Sequence, residues 1–175
     1  MTVANAKSSN VVSHLCPACG LCCNGVLFGD VELQRGDDAR KLASLGMALF
    51  RKGRKQCFSQ PCACFDGKWC RIYDDRPSRC RAFECRLVQR VETGRLTVAA
   101  ALKSIKAARR RVETVRGFVR GLGQTDEHVP LNRRYAAVLS GPMDLAGDRR
   151  DIKRRGELMQ AVGELVALLG RDFLT

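Results

Sequence analysis

The stretch Cys16-Pro-Ala-Cys19-Gly-Leu-Cys22-Cys23 decides how this chain is built. A C-x2-C turn presents two sulfurs to one metal through a tight backbone loop, and Gly20 eases that turn because glycine tolerates positive φ. The spacing occurs twice, at Cys16/Cys19 and at Cys19/Cys22. Cys23 follows Cys22 directly, so the two side chains point apart and suit two metals, or one metal and the core. A second group, Cys57, Cys62, Cys64, Cys70, Cys80 and Cys85, completes the ten cysteines of the 175 residues. Four thiols from each group would fill two tetrahedral sites and leave two spare. Cys57 and Cys64 are the candidates for the spare pair, acting as small buried hydrophobes.

Working outward, the composition is that of an ordinary globular chain, with 45% hydrophobic and 28% charged residues, which excludes wholesale disorder. No run approaches the ~20 consecutive apolar residues that span a bilayer. The first ten residues lack a basic segment followed by an apolar one, so no secretory leader is expected. That reading places the chain in the cytoplasm without membrane contact. Cytosolic thiols are kept reduced, so ten cysteines point to metal before disulfides. His14 precedes Cys16 by two residues but is read as a bystander among so many thiols, and His128 carries no signal.

Lysine and arginine number 31 against 18 aspartates and glutamates, a net charge of +13. The first fifty and the last twenty-five residues are each balanced, so the excess lies within 51–150. Its components are Arg51-Lys52, Arg54-Lys55, Arg109-Arg110-Arg111, Arg116, Arg120 and Arg133-Arg134. They support a competing function, docking on nucleic acid or on an acidic protein partner, against the plainer reading of a solvated helix face. With one Trp, two Tyr and seven Phe, stacking on single-stranded bases is weakly supported. Arg76, Arg79 and Arg81 flank Cys80, where positive charge favours thiolate, and Asp74 and Asp75 offer them partners.

The apolar pattern predicts a mainly α fold with little β. Val26, Phe28, Val31 and Leu33 alternate as a short strand or hairpin. Asp37 and Asp38 cap a helix whose face holds Leu42, Leu45, Leu49 and Phe50, with Gly53 as its stop. Residues 51–55 form a basic loop, and residues 57–69 leave little room for regular structure. Pro77 starts another helix that Leu87 and Val91 continue. Within it Cys80 and Cys85 sit about 140° apart, so they cannot face one metal unless the helix is interrupted. Beyond Gly94, Val98, Leu102, Ile105, Ala108, Val112, Val115, Val119 and Leu122 make an apolar seam at alternating steps of four and three, ended by Gly121 and Gly123. Leu131, Tyr135, Val138 and Leu139 form a short helix after Pro130. A last helix begins near Pro142 or later, runs through Ile152, Met159, Val162, Val166 and Leu169, and stops at Gly170. The expected organisation is a loosely ordered arm over 1–15, an irregular metal-stapled cysteine module over 16–93, and an α-helical region over 94–175 packing on or beside it.

Cys16-x2-Cys19-x2-Cys22-Cys23, Pro61-Cys62, Cys70-Arg-Ile-Tyr73 and Arg76-Pro77-x2-Cys80-Arg81-x-Phe83-x-Cys85 together resemble the YkgJ-type cysteine-cluster family. That family is described as zinc- or iron-chelating and sometimes as iron–sulfur. The resemblance covers about residues 16–86 and implies Cys16, Cys19, Cys22, Cys23, Cys62, Cys70 and Cys80 as signature thiols. It adds Cys85 more readily than Cys57 or Cys64. It supplies a ligand class and no reaction. Tyr73 and Phe83 are read as wall residues around the site.

All-thiolate coordination suits zinc and an iron–sulfur cluster about equally, with zinc slightly favoured for stability in air. The bacterial ferredoxin run C-x2-C-x2-C-x3-C-P begins as this chain does and breaks at Cys23, so a cluster needs its fourth ligand from Cys62, Cys70 or Cys80. No metalloprotease, phosphate-loop, nucleophile-elbow or dinucleotide signature occurs. No catalytic residue is therefore assigned, and any catalysis is expected to be electron transfer or thiol redox chemistry. The expected function is metal binding in a structural, chelating or redox role.

Overall fold

A computed structural model describes residue 11, residues 14–142 and residues 149–174. Helix α1 includes residues 14–19. It is followed by β1 (Asp30–Glu32), α2 (Ala39–Ser44), β2 (Leu49–Lys52), β3 (Lys55–Ser59), α3 (Ser78–Ala82), α4 (Arg86–Glu92), α5 (Val98–Gly121), α6 (Leu131–Ser140) and α7 (Arg149–Asp172). The fold is mostly α with one small sheet, as the apolar pattern predicts.

Two apolar cores carry it. In the larger, α5 packs along α7 and α6 packs against both. The buried stripe of α5 is Ala101, Ile105, Ala108, Val112, Val115 and Val119, at the steps of four and three that one helix face requires. Leu15, Leu21, Leu87 and Val88 of the cysteine-rich part belong to the same core. Each such side chain removed from water contributes roughly 1.5–3 kcal/mol. The smaller core is Leu42, Met47, Phe58 and Cys64. It lies with a three-stranded antiparallel sheet of order β1-β3-β2, registered by Val31 opposite Phe58 and Phe50 opposite Cys57.

Several expectations change. Leu49 and Phe50 lie on β2, not on a helix, because α2 ends at Ser44. Gly46, at φ +85, supplies the stop that Gly53 was expected to give. Gly53, at φ +62, instead turns a two-residue hairpin between Lys52 and Lys55. The basic loop is thus a β-turn, and Cys57 sits on a central strand. The helix begun at Pro77 is broken, since Phe83 is extended at φ −80, ψ 121.

Val98 and Leu102 are exposed, and Ala101 takes the inward place at the start of α5. On α7 the inward stripe is Leu158, Leu165, Leu168 and Leu169, while Met159 is 65% and Val166 52% exposed. That helix passes Gly170 and ends at Asp172, where the Arg86 guanidinium donates to the Gly170 and Arg171 carbonyls. Of the expected arm, residues 1–10, 12 and 13 lie outside the described residues. Leu15 belongs to the core at 2% exposure.

Candidate metal centre

The cysteines reach one place from four separate parts of the chain. Cys16 and Cys19 lie on α1, which ends where the Gly20 amide donates to the Cys16 carbonyl at 3.0 Å. Gly20 has φ +67, and a Cβ there would stand 2.5 Å from the Phe65 ring. Cys22 and Cys23 occupy the following turn, in which the Cys23 and Asn24 amides both donate to the Gly20 carbonyl. The Cys62 amide donates to the Cys23 carbonyl at 2.8 Å, and the bridge between Phe65 and Cys70 closes the next loop. Cys80 is on α3, whose first residue is held by Asp37: Ser78 donates to it from its amide at 2.9 Å and from its hydroxyl at 2.8 Å. Cys85 stands at the N-cap of α4. The break at Phe83 therefore frees Cys80 and Cys85 from a common helix.

Cys16, Cys19, Cys22, Cys23, Cys62, Cys70, Cys80 and Cys85 all line one cavity of about 780 Å³. Cys57 and Cys64 are not on its wall; each is 1% exposed, Cys57 on the sheet and Cys64 in the smaller core. Phe28, Phe65, Trp69, Tyr73 and Phe83 share the wall with the eight thiols. Phe28 meets Phe83 edge-on at 4.9 Å, and Trp69 stacks on Tyr73 at 4.9 Å. Arg76 lies 3.7 Å from the Tyr73 ring centre and donates to the Tyr73 carbonyl at 2.8 Å. Neither histidine lines the cavity.

Burial dominates the thiol electrostatics. It pushes Cys16 and Cys80 up to about 11, and Cys19, Cys23 and Cys62 up to about 12. Cys22 is raised well above the ordinary thiol value by burial and then by Cys19, Cys23, Cys16 and Cys85. Opposing this, the Leu21 amide favours the Cys19 thiolate and the Cys64 amide favours that of Cys62. Burial also raises Cys85, against the pull of the Val88 and Leu87 amides. Arg76 acts downward on both Cys16 and Cys80. Without a cation in their midst these thiols are neutral S–H groups near pH 7; a bound metal ion would supply the missing positive charge and displace their protons.

Among the described residues, no group of three or more His, Cys, Asp or Glu side chains stands at the spacing of a single bound ion. Tetrahedral zinc, with Zn–S near 2.3 Å, requires sulfurs roughly 3.8 Å apart. Closing such a site therefore requires the thiols to approach one another. An iron–sulfur cluster, with metals and sulfides between the thiolates, needs less closure. The donor set itself, soft sulfur without imidazole, fits zinc or iron.

Several of the basic residues have partners within the molecule. Arg109 donates to the Ala18 carbonyl at 2.9 Å and Arg116 to the Asn24 carbonyl at 3.4 Å, which ties α5 to the cysteine loop. Arg111 pairs with Glu164 across α5 and α7. Arg120 and the 2%-exposed Arg134 both reach Glu127, and Arg133 reaches Asp30. Lys52 and Lys55 pair with Asp30 and Glu32. Asp75, expected to serve the arginines around Cys80, pairs with Lys41 at 2.8 Å.

The sequence did not reveal Asp37 as the anchor of α3, nor Arg109 and Arg116 as clamps on backbone carbonyls. No local motif signals a contact made across so long a stretch of chain. No helix among the described residues is long and apolar enough to cross a membrane. No curated protein and no solved structure matches the chain. Residues 15–104 match the family model CxxCxxCC, described as "Putative zinc- or iron-chelating domain". That match covers more than half of the chain, which belongs to the CxxCxxCC family.

Proposed function

We propose that this chain binds zinc or iron through Cys16, Cys19, Cys22, Cys23, Cys62, Cys70, Cys80 and Cys85. One observation carries the reading: these eight thiols line a single cavity, and the other two cysteines do not. Eight half-buried thiols around an aromatic-walled space make little sense as apolar core alone, because a cavity of this size forfeits the contacts that a packed core would make. Metal bound by these sulfurs would link distant parts of the chain. Residues 16–93 then form the metal-binding module and residues 94–175 its helical support.

The role is structural or chelating when the occupant is zinc, and redox becomes available when it is an iron–sulfur cluster. The basic surface gives less support to a nucleic-acid function, since several of its arginines have intramolecular acceptors.

Elemental analysis of anaerobically prepared protein, read beside its visible spectrum, tests the proposal. Brown protein with matched iron and sulfide identifies a cluster, and colourless protein with zinc identifies a structural or chelating site. Metal-free protein that unfolds cooperatively with all its thiols free would refute it.

A further inference from the structure

We infer that the eight thiols form two four-thiol metal centres, Cys16, Cys19, Cys22 and Cys85 in one and Cys23, Cys62, Cys70 and Cys80 in the other, joined by the Cys22–Cys23 peptide bond. The inference rests on the metal-binding reading and adds the number of centres and the ligands of each.

The two apolar cores separate the sets. Cys19 and Cys85 pack against the helical core of Leu15, Leu21, Leu87 and Val88. Cys62 and Cys80 pack against the sheet-side core of Leu42, Met47 and Phe58. The extended residue Phe83 sends Cys80 to one core and Cys85 to the other, which an unbroken helix would not allow. Backbone bonds draw the second set together. Cys62 donates to the Cys23 carbonyl, Phe65 donates to the Cys62 carbonyl at 3.0 Å, and Phe65 bridges Cys70.

Cys16 and Cys22 join Cys19 by the C-x2-C spacing on either side of it, and the bond from the Cys62 amide ties Cys23 to the second set. Arg76 lines the same cavity as both sets. A four-thiolate site holding a divalent ion carries a charge of −2, and a shared cation lowers the cost of placing two such sites side by side. Each thiol that bonds to metal gives its proton to solvent. Each centre would then fasten one core to the loop that holds Cys22 and Cys23.

Cysteine-to-serine variants, prepared anaerobically and analysed for metal and sulfide per chain, test the division. Cys85→Ser or Cys19→Ser, and likewise Cys70→Ser or Cys62→Ser, is expected to lose half the metal of the unaltered protein. Pairing Cys85→Ser with Cys19→Ser should cost no more than either alone, whereas pairing Cys85→Ser with Cys70→Ser should remove all of it. Native mass spectra of partly stripped, unaltered protein should also contain chains carrying one centre, a readout that does not depend on any variant folding. Total loss from every single variant, with no half-loaded chain in the spectra, would overturn the two-centre arrangement. Unaltered protein with no metal would instead remove the reading beneath it.

Discussion

The Cys62 amide donates to the Cys23 carbonyl at 2.8 Å, joining the two halves of the cysteine motif through backbone alone. Gly25 prepares the same junction, since a Cβ there would meet Pro61 and Pro130 at 3.2–3.3 Å. The loops therefore meet before any metal is considered, and the thiols inherit their positions from that frame. A buried backbone hydrogen bond is worth about 0.5–1.5 kcal/mol net, enough to bias the approach and too little to hold it alone. Metal bound by the thiols would add to it.

Cys57 and Cys64 are expected to be dispensable for metal. Cys57→Ala and Cys64→Ala should leave the metal-to-protein ratio unchanged and cost about 1 kcal/mol each through lost burial. Elemental analysis and denaturant unfolding measure both quantities. A fall in metal content equal to that of Cys70→Ser would return these two cysteines to the ligand set.

Gly20→Ala tests the approach of Phe65 to the first loop. The substituted residue must hold φ near +67 and displace a ring whose nearest atom lies 2.5 Å from the new Cβ. The backbone conformation alone costs roughly 1–2 kcal/mol, and moving Phe65 adds to it. A lowered unfolding midpoint together with faster metal loss is expected. An unchanged midpoint would show that the loop adapts freely.

Glu127 gives the fold a specific pH dependence. Burial works to raise its carboxyl, but Arg134, Arg120 and Arg116 outweigh burial and hold it below the usual carboxylate range. A depressed carboxylate contributes stability above its unfolded pKa of about 4.3, and that stability is lost as pH falls through the folded value. Glu127→Gln should cost up to about 1 kcal/mol near neutrality, because Glu127 is 46% exposed and the buried Arg134 guanidinium keeps the Gln124 carbonyl as an acceptor. Parent and variant should converge on acidification. Parallel stability curves down to low pH would contradict this assignment.

The sequence made the ligand class and the helical half legible because both rest on short-range rules. The C-x2-C-x2-C-C string reports its chemistry within eight residues, and the stripe from Ile105 to Val119 reports its face by helical spacing. Leu49 and Phe50 misled because their spacing from Leu42 and Leu45 also fits a helix. Gly46 and the pairing of Phe50 with Cys57 decided otherwise, and strand pairing is a contact that local spacing does not encode. On α7, Met159 and Val166 satisfied the helical period as well as Leu158 and Leu165 did. Only the direction of α5 selects between the two stripes.

Replacing Arg109, Arg110 and Arg111 with alanine should register as lost stability, because Arg109 holds the Ala18 carbonyl and Arg111 holds Glu164. Mixed-sequence RNA or DNA at low salt should bind neither form with the steep salt dependence of phosphate contacts. Tight, salt-sensitive binding by the parent that the triple variant loses would restore the nucleic-acid reading.

Residue-resolved alkylation of the purified protein, compared with the same protein stripped by a chelator, tests metal ligation most directly. Cys16, Cys19, Cys22, Cys23, Cys62, Cys70, Cys80 and Cys85 should gain reactivity together on stripping, while Cys57 and Cys64, each 1% exposed, should lag until the chain unfolds. Equal reactivity of the eight thiols before and after chelation would contradict metal ligation by this cavity.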